Sequence, residues 1–202
     1  MNVYGLTGGP GCGKSAVSAY LREKASWHIY DADEVCHDLY SSPSSALAAS
    51  IAGTWGNAVL SADGTVDRKA LASAVFGKPD ELEKLNALVH PTIRGEIRRR
   101  IADDAARSGE NAVGILDAAL LFETNWDEGL SGTIAVWTQP SVQWARLRGR
   151  SWSEDECRKR IAAQLGADEK LRRADFGIIN TGSLPFLYLQ CDLLIQKLQN
   201  ER

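Results

Sequence analysis

The sequence predicts an α/β protein built on a parallel sheet, and three observations lead to this fold class. The stretch Gly8–Ser15 fits the pattern Gly-x-x-x-x-Gly-Lys-Ser/Thr of a phosphate loop. An apolar run, Val3–Leu6, precedes this stretch, and an amphipathic pattern follows it, so the motif lies between a strand and a helix. Further short apolar runs alternate with helical patterns along the chain, which is typical of a parallel sheet covered by helices.

The residues of the phosphate loop suit a nucleoside triphosphate. Glycines let backbone N–H groups converge without a Cβ in the way, and the N-terminus of the following helix adds donors. Lys14 can reach the β- and γ-phosphates, and the Ser15 hydroxyl can ligate Mg²⁺. The alternative is a Gly-rich turn without function, which the combined register of strand, loop and helix argues against. We therefore expect a nucleoside triphosphate with Mg²⁺ at this loop, with nucleotide contacts from Gly9, Gly11, Cys12, Gly13, Lys14, Ser15 and Ala16.

Composition places the chain among globular proteins. Its 202 residues, 44% of them hydrophobic, suffice for one α/β domain with a small insertion. The formal charge of −3 gives no global reason to expect nucleic acid or an anionic membrane as a partner. No apolar run approaches the ~20 residues of a membrane span, and the first strand begins too close to Met1 to leave room for a signal peptide. We expect a cytoplasmic protein, a monomer or weak homo-oligomer, that acts on a small molecule.

The cysteine pattern also favours a reducing compartment. The four cysteines lie far apart and show no metal-ligand spacing, so reduced thiols are the simplest interpretation. Cys12, inside the phosphate loop, is interpreted as an inert small residue, and the alternative is a redox-sensitive thiol.

Acidic residues follow two of the predicted strands. Asp31 and Asp33 follow the run Trp27–Tyr30, and Asp117 follows Val113–Leu116. Because ligands of an open parallel sheet bind beyond the carboxyl ends of its strands, we expect these carboxylates to face the phosphate site. They could ligate Mg²⁺ or accept the proton of an attacking hydroxyl. The alternative for Asp33 is that it caps the helix that follows.

The middle of the chain, residues 34–93, is predicted to form a helical insertion at the edge of the sheet, because turn signals separate its helical pieces. Pro91 is expected in the first turn of a new helix. Arg94, one turn past His90, is a candidate for contact with an anionic group. His90 itself is open to two interpretations, a structural histidine or a ligand contact.

Polar residues after the later strands suggest a lid and a nucleotide contact. Arg146 and Arg150 lie where a helix turns into a loop, a position that suits contact with transferring phosphates. Ser153 is expected to cap an acidic first turn of the next helix. Asn180 follows the strand Phe176–Ile179, and it could bind a purine edge or serve as a turn residue. The core-facing side of the last helix is predicted to consist of Leu184, Leu187, Cys191, Leu194 and Leu198.

Taken together, these motifs make the chain resemble the bacterial dephospho-CoA kinases, which are P-loop kinases of the nucleoside-monophosphate-kinase type. The resemblance covers nearly the whole chain, and the order and spacing of its motifs are more specific than the phosphate loop alone. The motifs are Gly5-Leu6-Thr7-Gly8-Gly9 with the phosphate loop, Asp31-Ala32-Asp33, Asp63-Gly64 with Asp67-Arg68, His90-Pro91-x-x-Arg94, Leu116-Asp117 with Leu120-Leu121-Phe122-Glu123, Arg146-Leu147-x-x-Arg150, Ala163-Gln164, and Ala174-Asp175 with Asn180.

The resemblance implies ATP-dependent phosphorylation of the ribose 3′-hydroxyl of dephospho-CoA, the last step of coenzyme A synthesis. It implies a three-layer P-loop kinase fold with a five-stranded parallel sheet, a helical insertion that binds the CoA substrate and a small helical lid. The nucleotide-binding core would comprise 1–33, 94–145 and 174–202, the insertion 34–93, and the lid 146–173. The alternatives are another small-molecule or nucleotide kinase of the same fold and, in a different class, a nucleotide-switched binding module.

The resemblance also implies roles for individual residues. Asp33 would be the catalytic base, and Lys14 and Arg146 would assist phosphoryl transfer. Arg150 and Asn180 would join the loop residues in binding the nucleotide. The apolar run Leu120–Phe122 is interpreted as packing from its composition, but its motif adds Leu120 and Phe122 to the expected substrate contacts Asp33, His90 and Arg94. The expected Mg²⁺ ligands are Ser15, Asp31 and Asp117.

Overall fold

The structure is a computed structural model that describes residues 1–43, 45–109, 112–150 and 152–200. It contains two compact units, one made of Met1–Ile29 with Asp104–Arg202 and the other of Tyr30–Asp103. In the described part of the chain, the strands are β1 (Asn2–Gly8), β2 (His28–Asp31), β3 (Val113–Asp117), β4 (Gly132–Trp137) and β5 (Phe176–Ile179). The helices are α1 (Lys14–Ala25), α2 (Ala32–Ser41), α3 (Ala46–Trp55), a short 3-10 helix (Asn57–Val59), α4 (Arg68–Val75), α5 (Pro79–Ser108), α6 (Pro140–Arg148), α7 (Glu154–Ala162), α8 (Ala167–Arg173) and α9 (Leu184–Asn200).

The strands form one sheet in the order β2-β3-β1-β4-β5. The central strand β1 pairs in parallel with β3 and β4, and β4 pairs in parallel with β5. Leu6 of β1 lies opposite Asp117 on one side and Ile134 on the other. The end of β3 therefore reaches the same edge of the sheet at which the chain leaves β1 for the phosphate loop. The predicted five-stranded parallel sheet is confirmed.

The core of the first unit explains why the strand sequences are so apolar. All five residues of β3 are buried, as expected for a parallel strand covered on both faces. Leu6, Ile115 and Ile134 are fully buried at the centre of the sheet. Helices α1 and α9 contact each other, and the rings of Tyr20 and Tyr188 stack between them with centroids 4.3 Å apart.

The apolar side of α9 was predicted correctly at four of five positions. Leu187, Cys191, Leu194 and Leu198 are buried in the core of the first unit. The prediction for Leu184 is wrong, since its side chain is 55% exposed. Leu184 is the first residue of α9, where helical spacing alone does not decide whether the side chain reaches the core.

The second unit contains α2, α3, α4 and most of the 30-residue helix α5, and these helices bury apolar side chains. Leu47, Ile51, Leu71 and Ile93 are among its buried residues. Asp67 caps α4 by accepting hydrogen bonds from the N–H groups of the second and third residues after it, which fixes where that helix begins.

Helix α5 runs from Pro79 to Ser108 without interruption, so the prediction of a new helix at Pro91 is wrong. Pro91 has no N–H to donate to the carbonyl of Ala87, a defect that costs about 3 kcal/mol in a helix interior. Burial of Val89 and Ile93 on either side of the proline offsets this cost. Tertiary packing therefore overrides the local signal.

Among the described residues, no helix is both long enough and apolar enough to cross a membrane.

Candidate active site

The phosphate loop has the backbone geometry that its glycines predict. Gly11 and Gly13 have φ angles of 80° and 94°, in the left-handed region that side chains with a Cβ rarely adopt. The Gly13 carbonyl accepts hydrogen bonds from the Ala16 and Val17 N–H groups, so α1 begins directly after the loop. The N–H groups of Lys14 and Ser15 precede these bonds and have no acceptor within the helix, so they could donate to an anion.

Lys14, the first residue of α1, forms an ion pair with Asp117 at the end of β3. The side chain of Asp117 is 2% exposed and that of Lys14 is 16% exposed, so the pair is largely withdrawn from water. The strand order that places β3 beside β1 brings the two residues together. The carboxylate predicted at a strand end thus lies beside the phosphate loop.

Arg146 and Asn180 contact backbone carbonyls of the same loop. Nη1 of Arg146 is 3.4 Å from the Gly11 carbonyl and 3.5 Å from the Cys12 carbonyl. Nη2 of Arg146 donates to Oδ1 of Asn180 at 3.2 Å, and Nδ2 of Asn180 donates to the Cys12 carbonyl at 2.9 Å. Two residues predicted at the nucleotide site are therefore hydrogen-bonded to each other and to the loop.

The region predicted as a lid contains contacts between arginine side chains and an aromatic ring. Arg150 and Arg160 lie over the ring of Trp152, at 5.5 Å and 4.1 Å from its centroid. Ser153 caps α7 and forms a capping box with Glu156, which confirms the predicted helix start. Contact of Arg150 with phosphate stays a prediction.

The apolar residues after β3 are divided between core and surface. Leu121 is fully buried and Phe122 is 6% exposed, whereas Leu120 is partly exposed. These exposures agree with the interpretation of Leu121 and Phe122 as packing residues. The substrate contacts predicted for Leu120 and Phe122 stay predictions.

Lys170 is a buried cation that the sequence did not reveal. Lys170 of α8 is 0% exposed, and its Nζ lies 2.9 Å from Oε1 of Glu123 and also donates to the Ala119 carbonyl. Oε1 of Glu123 accepts a second hydrogen bond from the Leu165 N–H at 2.8 Å. Burial lowers the pKa of Lys170, and the adjacent Glu123 carboxylate partly opposes this shift. No sequence signal identifies Lys170, because a lysine in a short charged helix normally faces water.

Cys12 is fully buried within the loop, and burial raises the pKa of its thiol. Gln143 of α6 donates through Nε2 to the Pro10 carbonyl of the same loop at 2.7 Å. Gln143 is a second contact that the sequence did not reveal, since 133 residues separate the two partners.

Four predicted site residues belong to the second unit. Asp31 is the N-cap of α2, and it accepts hydrogen bonds from the N–H groups of Asp33 at 2.8 Å and Glu34 at 3.2 Å. The alternative assignment of Asp33 as the cap is therefore wrong, and Asp33 lies exposed in the first turn of α2. His90 and Arg94 are one turn apart on α5, and burial lowers the pKa of His90. The predicted chemical roles of these residues stay predictions.

Comparison with known proteins identifies the family. A model of the dephospho-CoA kinase family matches residues 2–185 of this chain. The chain belongs to the dephospho-CoA kinase family. A dephospho-CoA kinase of Symbiobacterium thermophilum is 43% identical over 185 residues, which cover 91% of this chain and 76% of the relative. A dephospho-CoA kinase of Bdellovibrio bacteriovorus is 39% identical over 201 residues, which cover 98% of this chain and 97% of the relative.

The fold comparison agrees with the family. A crystal structure of a Thermus thermophilus protein superposes with a TM-score of 0.78 at 31% identity, covering 98% of this chain and 97% of the other. The predicted dephospho-CoA kinase family, α/β P-loop kinase fold and kinase class are therefore confirmed.

Proposed function

We propose that this protein transfers the γ-phosphoryl group of ATP to the ribose 3′-hydroxyl of dephospho-CoA and thereby produces coenzyme A. The observation that carries the proposal is the match of residues 2–185 to the dephospho-CoA kinase family in a chain whose phosphate loop is complete. In this reaction the acceptor oxygen forms a bond to the γ-phosphorus, ADP leaves, and the hydroxyl proton passes to a base.

The triphosphate would be held by the phosphate loop. The left-handed conformations of Gly11 and Gly13 and the free N–H groups at the start of α1 supply donors for phosphate oxygens. The Lys14 ammonium group would exchange part of its contact with Asp117 for contact with the β- and γ-phosphates. Phosphoryl transfer depends mainly on positioning and charge stabilisation, and these residues would supply both.

The residues at the loop also fit Mg²⁺. Kinases hold this ion through one or two carboxylates together with the phosphates of the substrate, so a complete protein cage is not required. Ser15 is exposed at the start of α1, and Asp117 lies at the neighbouring strand end as a buried carboxylate. These two residues and Asp31 would be its ligands, and the bound ion would neutralise charge on the phosphates.

The acceptor alcohol would be handled by the residues of the second unit. Asp33 has an exposed carboxylate at the start of α2, where Asp31 fixes the backbone through its two capping hydrogen bonds. Asp33 would orient the 3′-hydroxyl and accept its proton. His90 and Arg94 would bind the substrate, with Leu120 and Phe122 as further contacts.

Arg146 and Arg150 would neutralise the charge that develops on the moving phosphoryl group. Arg146 contacts the carbonyls of Gly11 and Cys12 and the side chain of Asn180, so it is held next to the loop that would bind the phosphates. Arg150, stacked on Trp152, would approach as the α6–α7 region closes over the nucleotide.

A coupled assay of ADP release tests the proposal. ADP should be released with ATP, Mg²⁺ and dephospho-CoA, and mass spectrometry should find one added phosphoryl group on the 3′-oxygen of the product. A panel of shikimate, gluconate, nucleoside monophosphates and adenosine serves as the control. Turnover that is faster with a panel member, or that does not depend on any acceptor, would refute the assignment.

Location and assembly are also proposed. All four cysteines are free thiols, which is consistent with a reducing cytoplasm. A monomer or weak homo-oligomer without nucleic acid as a partner stays the expected form, and sedimentation velocity at micromolar concentration measures it.

A further inference from the structure

Side chains outside the phosphate loop donate hydrogen bonds to the carbonyls of two loop residues. Gln143 donates to the Pro10 carbonyl at 2.7 Å, and Asn180 donates to the Cys12 carbonyl at 2.9 Å. A trans peptide is planar, so its C=O and N–H groups point in opposite directions. Because Asn180 holds the Cys12 carbonyl, the Gly13 N–H of the same peptide points away from Asn180. It points towards the side of the loop where the phosphates are expected.

Both hydrogen-bonding groups of the Asn180 side chain are occupied by protein. Nδ2 faces the Cys12 carbonyl, which can only accept, and Oδ1 faces the Arg146 guanidinium at 3.2 Å, which can only donate. These partners fix the orientation of the amide without ambiguity. Asn180 is 4% exposed, so the amide has little surface left for a ligand.

The position of Asn180 is fixed by its own backbone. Its N–H donates to the Trp137 carbonyl at 2.7 Å, and its carbonyl accepts from Oγ1 of Thr138 at 2.8 Å. These bonds anchor the residue to the end of β4 independently of the side chain. Replacing the side chain should therefore leave the local fold intact.

Gly13 shows how closely Asn180 approaches the loop. A Cβ placed on Gly13 would lie 2.0 Å from Nδ2 of Asn180, far inside any permitted contact. The φ angle of 94° at Gly13 is a second reason for glycine. The loop and the asparagine are thus packed as one unit.

We propose that Asn180 is a positioning residue that acts on the triphosphate and not on the base. It holds the Cys12–Gly13 peptide with its donor and the Arg146 guanidinium with its acceptor, and so couples the loop to the arginine. The inference rests on the proposed nucleotide site, and it replaces the purine contact that the sequence suggested for Asn180.

Binding of inorganic tripolyphosphate tests the proposal, because this probe has no base. Isothermal titration with Mg²⁺ would compare tripolyphosphate, ATP and GTP on the wild type and on Asn180→Ala. We expect the variant to bind all three about 10-fold more weakly, the loss expected for one or two hydrogen bonds. Weaker ATP binding with unchanged tripolyphosphate binding, or a changed preference between ATP and GTP, would overturn the proposal.

Two further variants separate positioning from structure. Asn180→Asp keeps an acceptor for Arg146 but cannot donate to the Cys12 carbonyl, so it should also weaken tripolyphosphate binding. Gln190 is the matched control, because its amide forms two hydrogen bonds of 2.9 Å with the backbone of Ile179, the residue before Asn180. Gln190→Ala should lower thermal stability without a change in tripolyphosphate affinity. An equal loss of affinity in Gln190→Ala would show that any weakening of β5 is enough to reduce tripolyphosphate binding. This result would overturn the proposal.

The binding test uses no acceptor, so its outcome is independent of the proposed substrate. If tripolyphosphate binding falls as expected while dephospho-CoA is not phosphorylated, the proposed function fails and the role of Asn180 stands. If coenzyme A is formed and the Asn180→Ala variant binds tripolyphosphate as the wild type does, the proposed function stands and the role of Asn180 fails.

Discussion

The ammonium group of Lys14 and the carboxylate of Asp117 form an ion pair between the start of α1 and the end of β3. Asp117 is almost fully buried, so removal of the lysine would leave its carboxylate without the positive charge of this pair. The pair thus joins the residue that should bind phosphate to one that should bind metal. Its disruption should affect both functions.

Lys14→Met should lower kcat/KM for ATP by about 10²-fold or more, because a positive charge that stabilises the transferring phosphates is lost. Steady-state kinetics with saturating dephospho-CoA measure the effect. Lys24→Met, at the exposed end of the same helix, is the control and should retain full activity. Comparable losses in the two variants would contradict a specific role for Lys14.

Asp33→Asn should lower kcat by about 10²-fold or more while the affinity for ATP stays nearly unchanged, because the amide cannot accept the hydroxyl proton. Turnover and nucleotide titration would be measured on the same preparation. Glu34→Gln, the exposed neighbour in the first turn of α2, is the matched control. Turnover near that of the wild type in Asp33→Asn would remove Asp33 from the role of base.

Arg146→Ala should lower kcat more than it raises KM, because the guanidinium is expected to act on charge that develops in the transition state. Arg148→Ala provides the comparison, since Arg148 is on the same helix but is exposed and contacts Glu154 at 3.5 Å. A change in KM alone would assign Arg146 to ground-state binding.

Lys170→Met should lower the free energy of unfolding by about 3 kcal/mol, because Glu123 would keep a largely buried charge without its cation. Denaturant unfolding monitored by circular dichroism measures the change. The double variant Lys170→Met with Glu123→Leu should recover much of this loss, since it removes both charges. A double variant less stable than Lys170→Met would contradict this account.

Glu96→Gln should flatten the dependence of stability on pH in acid. Hydrogen bonds from Arg99 and Arg100 lower the pKa of Glu96 from 4.5 to about 2. The folded protein therefore binds this proton less readily than the unfolded chain, and the stabilisation from Glu96 is complete above pH 4.5 and lost as the pH falls towards 2. Urea unfolding between pH 6 and 3 would compare Glu96→Gln with Glu83→Gln, an exposed change on the same helix. Parallel curves for the two variants would argue against the effect.

The sheet and the phosphate loop were predictable because their signals are local. The apolar run Val113–Leu116 is long enough to mark a buried strand, and Gly8–Ser15 specifies a loop conformation by its glycines. The prediction of a new helix at Pro91 was wrong because burial of the neighbouring residues within α5 outweighs the local effect of the proline. Local patterns carry no information on such packing.

The contacts that organise the candidate site could not be predicted from spacing. Asn180 meets Cys12 across 168 residues of sequence, and Lys170 of α8 meets Glu123, which precedes β4. Both contacts require the order of the strands, which no single motif determines. The sequence therefore identified residues that could do chemistry more readily than residues that hold them in place.

Cys12 lies within the phosphate-binding segment, yet its thiol is completely shielded and its pKa is raised by burial. Electrophiles and peroxide attack the thiolate form at accessible positions, and this cysteine offers neither condition. Covalent inhibitors designed to alkylate a cysteine beside bound ATP would consequently find no target here. The same burial protects the sulfur atom in the phosphate loop from oxidation.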